Sequence, residues 1–441
     1  MTSKMIYCAG PAIFDQERRQ LQELEASLVA DGRRVYLPYR DGLEGLYPAA
    51  EASDEAARRK RARLVLAFNA NRLIRECRAM VFSLNGRVPD EDGLVAAALA
   101  FMSGIPVILY KQDHRSVFHG HDNAMIIGLS RDFATVDSAA AMVKAVRKEI
   151  ARSGPARSGR QLPPALSAAV ELGRELSRML AENSSRPVPG DLDQDLVAKM
   201  LKAYEDSDWA GFQAEPVAPA AGTGGRPSPE TGAPRPAGRV YCSGPLFCPE
   251  ELRSMKNISE ALEASGWQTY LPQRDGIEAF VLKNTDRYLA NLVRPLVRFF
   301  HRLTFAVDVY FLLKCDCLVF NLNGRVPDEG AVAEAGLALA AGKPVILYGE
   351  ASQNGSWDKS DGRVNPGLIA LGVLTTPVAT IGQVSGQIPG HIPGQVAGID
   401  RGRYRSRDLT LTSDDLPPDV QRMVRLGRRA ARVMERLSFL K

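Results

Sequence analysis

Three carboxylates in the C-terminal half of the chain have the types and spacing for nucleophilic and acid–base chemistry. In "CLVFNLNGRVPDEGAVAEAGLALAAGKPVILY" a β-rich run ends in a Pro-Asp-Glu-Gly loop, and a run of small apolar residues follows. Asp328 falls in the loop and Glu334 about one turn into the helix expected there, so both can face one crevice. The positive end of a helix macrodipole favours an ionised carboxylate, which suits a nucleophile. Ala331, Ala333, Ala335, Gly336 and Ala338 would let a bulky ligand come close to the helix. A third carboxylate, Asp308, lies in "FAVDVYFLLKCDCLVF", which leads into the same strand, with Asp316 immediately before it. Taken alone, the Glu334 passage is better explained by a solvated helix residue.

A second copy of the passage shifts that balance. "SLNGRVPDEDGLVAAALAFMSGIPVILY" occupies residues 83–110. Ungapped alignment puts Ala96 opposite Glu334, Arg78 opposite Asp316 and Ala70 opposite Asp308, while Asp90 matches Asp328. Scaffold residues therefore occur twice and most of the carboxylates once.

The elements that must position these residues also recur. "MIYCAGPAIF" returns as "RVYCSGPLFC", "GRRVYLPYRDGLEG" as "GWQTYLPQRDGIEA", and "LPPALSAAVELGRELSRML" as "LPPDVQRMVRLGRRAARVM". Each half reads strand, Gly-Pro turn, helix, strand, Arg-Asp-Gly loop, helical segment, strand, helix, strand. The continuous apolar strands suit a sheet covered on both faces. Alternating β and α elements predict a parallel sheet, with the site in loops at strand C-termini. The expected domains are 1–180, 181–238 (a helix and a Pro/Gly/Ala-rich linker) and 239–441. The linker, residues 215–239, is too poor in large apolar side chains to order itself. The Ile-Pro-Gly stretch at 381–402 reads as a loop insertion.

Bulk properties agree with a soluble protein of more than one domain. The 441 residues exceed one ordinary core. No apolar run approaches the length of a membrane helix, and the N-terminus reads as a first strand, not a signal. Six cysteines lie in or beside apolar runs and read as reduced core thiols; Cys315 and Cys317 lack a second pair for a metal site. The net charge of +5 is small and dispersed. The basic C-terminal helix then reads as a solvated face, without nucleic-acid binding.

"VYCSGPLF", "LPQRDGIE", "DVY" and "NGRVPDEGAVAEAGLALAAGKPVILY" together resemble the nucleoside 2-deoxyribosyltransferase family, whose signature is approximately Asp-x-Gly-Thr-x-x-Glu-x-Gly-x-Ala. The match covers most of 239–372, with Ala331 in place of Thr, and more weakly 5–130. The resemblance implies base exchange on 2'-deoxynucleosides without metal or organic cofactor. Glu334 would attack C1', Asp328 and Asp308 would hold and help protonate the base, and Tyr241 would orient Glu334. It also implies an oligomer in which a neighbour supplies an Asn-x-Met segment. Asn123 and Met125 keep that segment in the first half, whereas Asn365 and Gly367 in the second do not.

The chemistry is coherent with those residues. A carboxylate captures the cationic C1', and an acid of raised pKa protonates the departing base. Gly244, Gly330, Asp275 and Arg325 join Asn123 and Met125 as candidate substrate contacts. For Asp275, and for Asp41 in the other Arg-Asp-Gly loop, a turn role is the better explanation. Arg325 has a counterpart, Arg87, in the copy without the glutamate, which favours structure. His114, His119 and His121 read as a surface loop. The segment "FVLKNTDRYLANLVRPLVRFFHRLTFAVD", residues 280–308, is expected to lie over the base pocket.

The sequence is thus read as two flavodoxin-like (Rossmann-like) α/β halves in tandem, packed as an intramolecular pseudo-dimer with a degenerate first copy. Further homo-oligomerisation through the helices at 166–181 and 419–437 competes with packing of each on its own half. The expected activity is cytoplasmic transfer of 2'-deoxyribose between nucleobases. The alternatives are an N-glycoside hydrolase of nucleosides or nucleoside 5'-monophosphates, and a non-catalytic nucleoside-binding protein. Ser243 is the one visible contributor to the phosphate cradle that a nucleotide hydrolase needs.

Overall fold

The computed structural model describes residues 5–46, 55–86, 90–113, 122–153, 162–183, 193–209, 238–246, 248–277, 279, 297–323, 328–349 and 416–436. Most of the linker, the 381–402 stretch, Arg87, Arg325, the three histidines, residues 280–296, Asn365 and Gly367 lie outside the described residues.

Two parallel sheets organise the chain. The first contains β1 (Met5–Ala9), β2 (Arg34–Tyr36), β3 (Cys77–Ser83), β4 (Val107–Tyr110) and β5 (Thr135–Val136), in the order β2-β1-β3-β4-β5. The second contains β6 (Arg239–Ser243), β7 (Gln268–Tyr270), β8 (Cys317–Asn321) and β9 (Val345–Tyr348), in the order β7-β6-β8-β9. Every pairing is parallel. This is the flavodoxin-like order, and the crevice at its switch point opens between β1 and β3, and again between β6 and β8.

Helices make the crossovers. The first half carries α1 (Asp15–Ala30), α2 (Pro38–Asp41), α3 (Glu55–Asn71), α4 (Glu91–Met102), α5 (Ala124–Ile127), α6 (Ala139–Ser153), α7 (Pro164–Glu182) and α8 (Gln194–Glu205). The second carries α9 (Pro249–Ala264), α10 (Pro272–Asp275), α11 (Val297–Lys314), α12 (Glu329–Ala340) and α13 (Pro418–Arg436). The Arg-Asp-Gly segments, expected as loops, close one-turn helices. Proline at the first helical position suits that start, and Asp41 and Asp275 accept from Leu37 N and Leu271 N, each at 2.9 Å.

Strand alternation sorts side chains between layers. In β1, Tyr7 and Ala9 enter a core shared by both halves, while Ile6 and Cys8 enter an outer layer; in β6, Tyr241 faces the shared core and Val240 and Cys242 face away. The halves meet through α4 and α12, whose small residues permit close approach. A Cβ at Gly336 would lie 2.8 Å from that of Ala98. Phe305 of α11 reaches into the first half, edge-on to Phe101 at 5.3 Å and to Phe133 at 5.8 Å. Full burial of such a ring stabilises by roughly 1.5–3 kcal/mol.

All six cysteines are free thiols, five of them buried. Burial pushes Cys315 up to about 12, so it stays protonated at neutral pH. No described helix is long and apolar enough to cross a membrane.

Candidate active site

The period of a strand puts Tyr241 and Ser243 on one face of β6, and α12 lies across that face. Both hydroxyls meet Glu334: Tyr241 Oη donates to Oε1 at 2.8 Å and Ser243 Oγ to Oε2 at 2.5 Å. Glu334 is only 6% exposed, and Tyr241 and Ser243 are fully enclosed. Two donors on the two oxygens suit a carboxylate, which in its ionised form offers acceptors and no donor.

Asp328 is the N-cap of α12, accepting from Ala331 N at 2.7 Å. Burial pushes its carboxyl up to about 7, against the opposing pull of that N–H. Glu329 is also raised to about 7, by burial first and then by the charges of Asp328 and Asp122, with Lys111 pulling the other way. Asp308 is fully buried and accepts from Tyr270 Oη at 3.0 Å. Tyr270 in turn packs 5.1 Å from Tyr241 and stacks on Phe311 at 4.2 Å. Asp308, Tyr270, Tyr241 and Glu334 thus form one connected group.

The first half contributes Asn123. Its side chain abuts Gly330, where a Cβ would stand 2.6 Å from Asn123 Nδ2. Its Oδ1 also accepts from Met125 N at 2.8 Å, capping α5 and fixing the turn. Met125 is buried in the shared core. Asn123 and Gly330 are therefore brought together at the start of α12.

Other candidates fall elsewhere. A Cβ at Gly244 would come 2.7 Å from Met255 Sδ and 2.8 Å from Asn321 Cβ, so this glycine answers to packing between β6, β8 and α9. Asp275 binds Leu271 N and the Arg274 guanidinium, the work of a turn residue. The partner of Ser243 was not evident from sequence. The available signal was parity with Tyr241, together with Ala9 at the matching place in the copy that has Ala96.

The structure also corrects one alignment. Gly173 packs on Ala67 and Asn71 as Gly427 packs on Ala306 and Tyr310. That register puts Asn69, not Ala70, opposite Asp308. Accordingly Tyr36 Oη donates to Asn69 Oδ1 at 2.6 Å, as Tyr270 does to Asp308. A π-helical turn, Arg72–Glu76, takes up the extra residue before β3. The first half therefore holds a neutral amide in place of that carboxylate, with Ala96 in place of the glutamate. A cavity of about 20 Å³ remains beside Tyr7, Asn69, Asp92 and Ala96, room for about one water.

Among the described residues no three His, Cys, Asp or Glu side chains are grouped to hold a metal ion. No curated protein matches the chain. Among solved structures, a conserved protein from Enterococcus faecalis V583 is 20% identical with a TM-score of 0.24, over 34% of this chain and 96% of its own. A glycotransferase of kitacinnamycin is 13% identical with a TM-score of 0.20, over 99% and 98% of the two chains. Os79 from O. sativa, in complex with UDP and deoxynivalenol-3-glucoside, is 14% identical with a TM-score of 0.20, over 98% and 95%. Residues 240–367, which hold Tyr241, Ser243, Asp308, Asp328 and Glu334, match the family model Nucleoside 2-deoxyribosyltransferase, and for that part of the chain the family is supported.

Proposed function

We propose that the C-terminal half is an enzyme that transfers 2'-deoxyribose from one nucleobase to another. The observation that carries this reading is the buried Glu334 carboxylate held by Tyr241 and Ser243, in a segment matching the family model. A Glu334 oxygen attacks C1'. The C1'–N bond breaks with its electron pair leaving on the base, and Asp328, protonated at or below about pH 7, supplies the proton. Asp308 holds the base. An acceptor base then attacks C1' of the deoxyribosyl ester, loses a proton, and the C1'–O bond returns its electrons to Glu334.

In this reading the chain is a tandem pseudo-dimer. The half spanning 1–180 has lost the nucleophile and supplies Asn123 and Met125 to the half spanning 239–441. The substrates are nucleosides and free bases, in cytoplasmic salvage. Ser243 is committed to Glu334, which counts against its use as a phosphate cradle and so against nucleotide substrates.

The test is chromatography of the protein incubated with thymidine or deoxyinosine, with and without adenine, beside Glu334→Ala. Deoxyadenosine formed by wild type alone supports transfer through Glu334. Free base released equally without acceptor would replace transfer by hydrolysis. No turnover across a nucleoside panel would leave a binding protein.

A further inference from the structure

The turn that brings Asn123 to Gly330 is itself held by a charge pair. Lys111 Nζ bonds Asp122, the residue just before Asn123. The lysine rises from a rigid base: its N–H donates to Val136 O at 2.8 Å, and Asn85 Oδ1 accepts from the next two N–H groups at 2.7 and 3.1 Å. The Lys111 and Asp122 side chains are 12% and 21% exposed, so the pair is largely withdrawn from water. Partial burial of two charges costs desolvation, and such pairs are weak sources of stability; their better-attested use is to fix one arrangement.

The chain supplies its own comparison. Tyr110 and Tyr348 end matching strands, but Lys111 follows the first and Gly349 the second. The lysine is present in the half whose turn faces a glutamate site and missing from the half whose partner site has Ala96. Glu329, between Asp328 and Gly330, is close enough to Asp122 and Lys111 for both charges to act on it. The pair therefore stands at the junction of the two halves, beside the start of α12.

We propose that Lys111 is a positioning residue for the C-terminal site, its ion pair with Asp122 holding the Asn123–Met125 turn of the N-terminal half against Gly330. Lys111 touches no reacting atom in this scheme. It sets where Asn123 stands when a deoxynucleoside binds, and so it acts on binding more than on bond cleavage. The inference rests on the deoxyribosyl-transfer reading, and on Asn123 belonging to that site.

The experiment is steady-state kinetics of the full chain with a saturating acceptor base and varied deoxynucleoside, for wild type, Lys111→Ala, Lys111→Arg, Asp122→Asn and Lys111→Ala/Asp122→Ala. Arg131→Ala serves as comparator, since it removes a different tie between the halves, to Asp419. Urea midpoints accompany every variant. Lys111→Ala should raise KM about tenfold, equivalent to about 1.4 kcal/mol, with kcat changed far less. The double variant should be no worse than the single ones, and Lys111→Arg should recover most of the loss. Nucleoside affinity measured by calorimetry in a Glu334→Ala background should fall in parallel, a readout independent of turnover.

Wild-type turnover with KM unchanged in Lys111→Ala would overturn this inference alone. So would an equal rise in KM in Arg131→Ala, or a change confined to the urea midpoint. A wild type that neither exchanges nor hydrolyses deoxynucleosides would remove the functional reading and this inference with it.

Discussion

Glu334 can serve as a nucleophile only if one of its oxygens meets C1' while the other is held, and its two hydroxyl partners are unequal. Tyr241 recurs as Tyr7 in the first half, whereas Ser243 has Ala9 as its counterpart. Ser243 therefore goes with the carboxylate and Tyr241 goes with the fold. Ser243→Ala leaves Oε2 buried without that donor, which costs about 1–3 kcal/mol, and frees the carboxylate to rotate. We expect a lower urea midpoint together with kcat reduced on the order of tenfold, since misplacement of a reacting group is costly; unchanged kinetics would reduce Ser243 to a packing residue. Asp328 makes a pH-dependent prediction. Its carboxyl is raised from 3.8 to about 7 by burial, so in the proposed scheme the acid for the departing base is present below about pH 7 and is titrated away above it. Activity should fall on the alkaline side with an apparent pKa near 7, and Asp328→Asn should be slow without that limb. The stability effect has a definite sign. A raised carboxyl pKa contributes stability that is complete below 3.8 and lost as pH rises through about 7. Asp328→Asn is neutral throughout and can still accept from Ala331 N, so it should gain on wild type across that window in urea titrations at several pH values.

At the scale of an element, the start of α12 does three jobs: Asp328 caps it, Gly330 admits Asn123, and Glu334 follows on the inward face. Gly330→Ala separates the second job from the others. Alanine favours a helix over glycine by up to about 1 kcal/mol, whereas displacing Asn123 uncaps α5 at a cost of about 1 kcal/mol. Stability should then change little, while KM for the nucleoside rises as Asn123 is pushed away; a lower midpoint with unchanged KM would count against a binding role for Asn123. These relations differ in how far the sequence discloses them. Apolar β-rich runs and Gly-Pro punctuation were enough for two parallel sheets, because strand period and crossover rules are local. The Asp328–Glu334 spacing was legible because it lies within one helix start. The Asn69–Asp308 equivalence was not, because the π turn at Arg72–Glu76 is written in ordinary helix-forming residues and shifts the register by one between two well-matched segments. Ser243 bonding Glu334 depends on which face of β6 a distant helix covers, and that is a tertiary fact. Asp275 kept its turn chemistry, which the Arg-Asp-Gly pattern had favoured.

At the scale of the molecule, the two sheets share one apolar core that includes residues from both halves, and the proposed site draws groups from both. Binding and stability should therefore fail together when the packing behind the Asn123 turn, where Phe305 meets Gly128, is loosened. Phe305 tests this, because the ring belongs to the second half but is enclosed by Phe101 and Phe133 of the first. Phe305→Ala should cost about 3–5 kcal/mol, the range for emptying a buried aromatic site. The chain carries its own reporters. Trp209 is buried against the first half and Trp267 in the outer layer of the second. Variants keeping one of these tryptophans, with the other and Trp357 replaced by Phe, report each half separately. If the shared core makes one cooperative unit, both reporters should lose their native signal at the same urea concentration, and Phe305→Ala should lower both midpoints equally. It should also raise KM, because Asn123 rides on the surface that Phe305 anchors. Separate midpoints, with Trp267 released first and nucleoside binding lost with it, would mean that the second half unfolds alone and that the first half is only a lid on its site. Coincident midpoints with unaltered KM in Phe305→Ala would mean instead that the junction supports the fold without setting the position of Asn123.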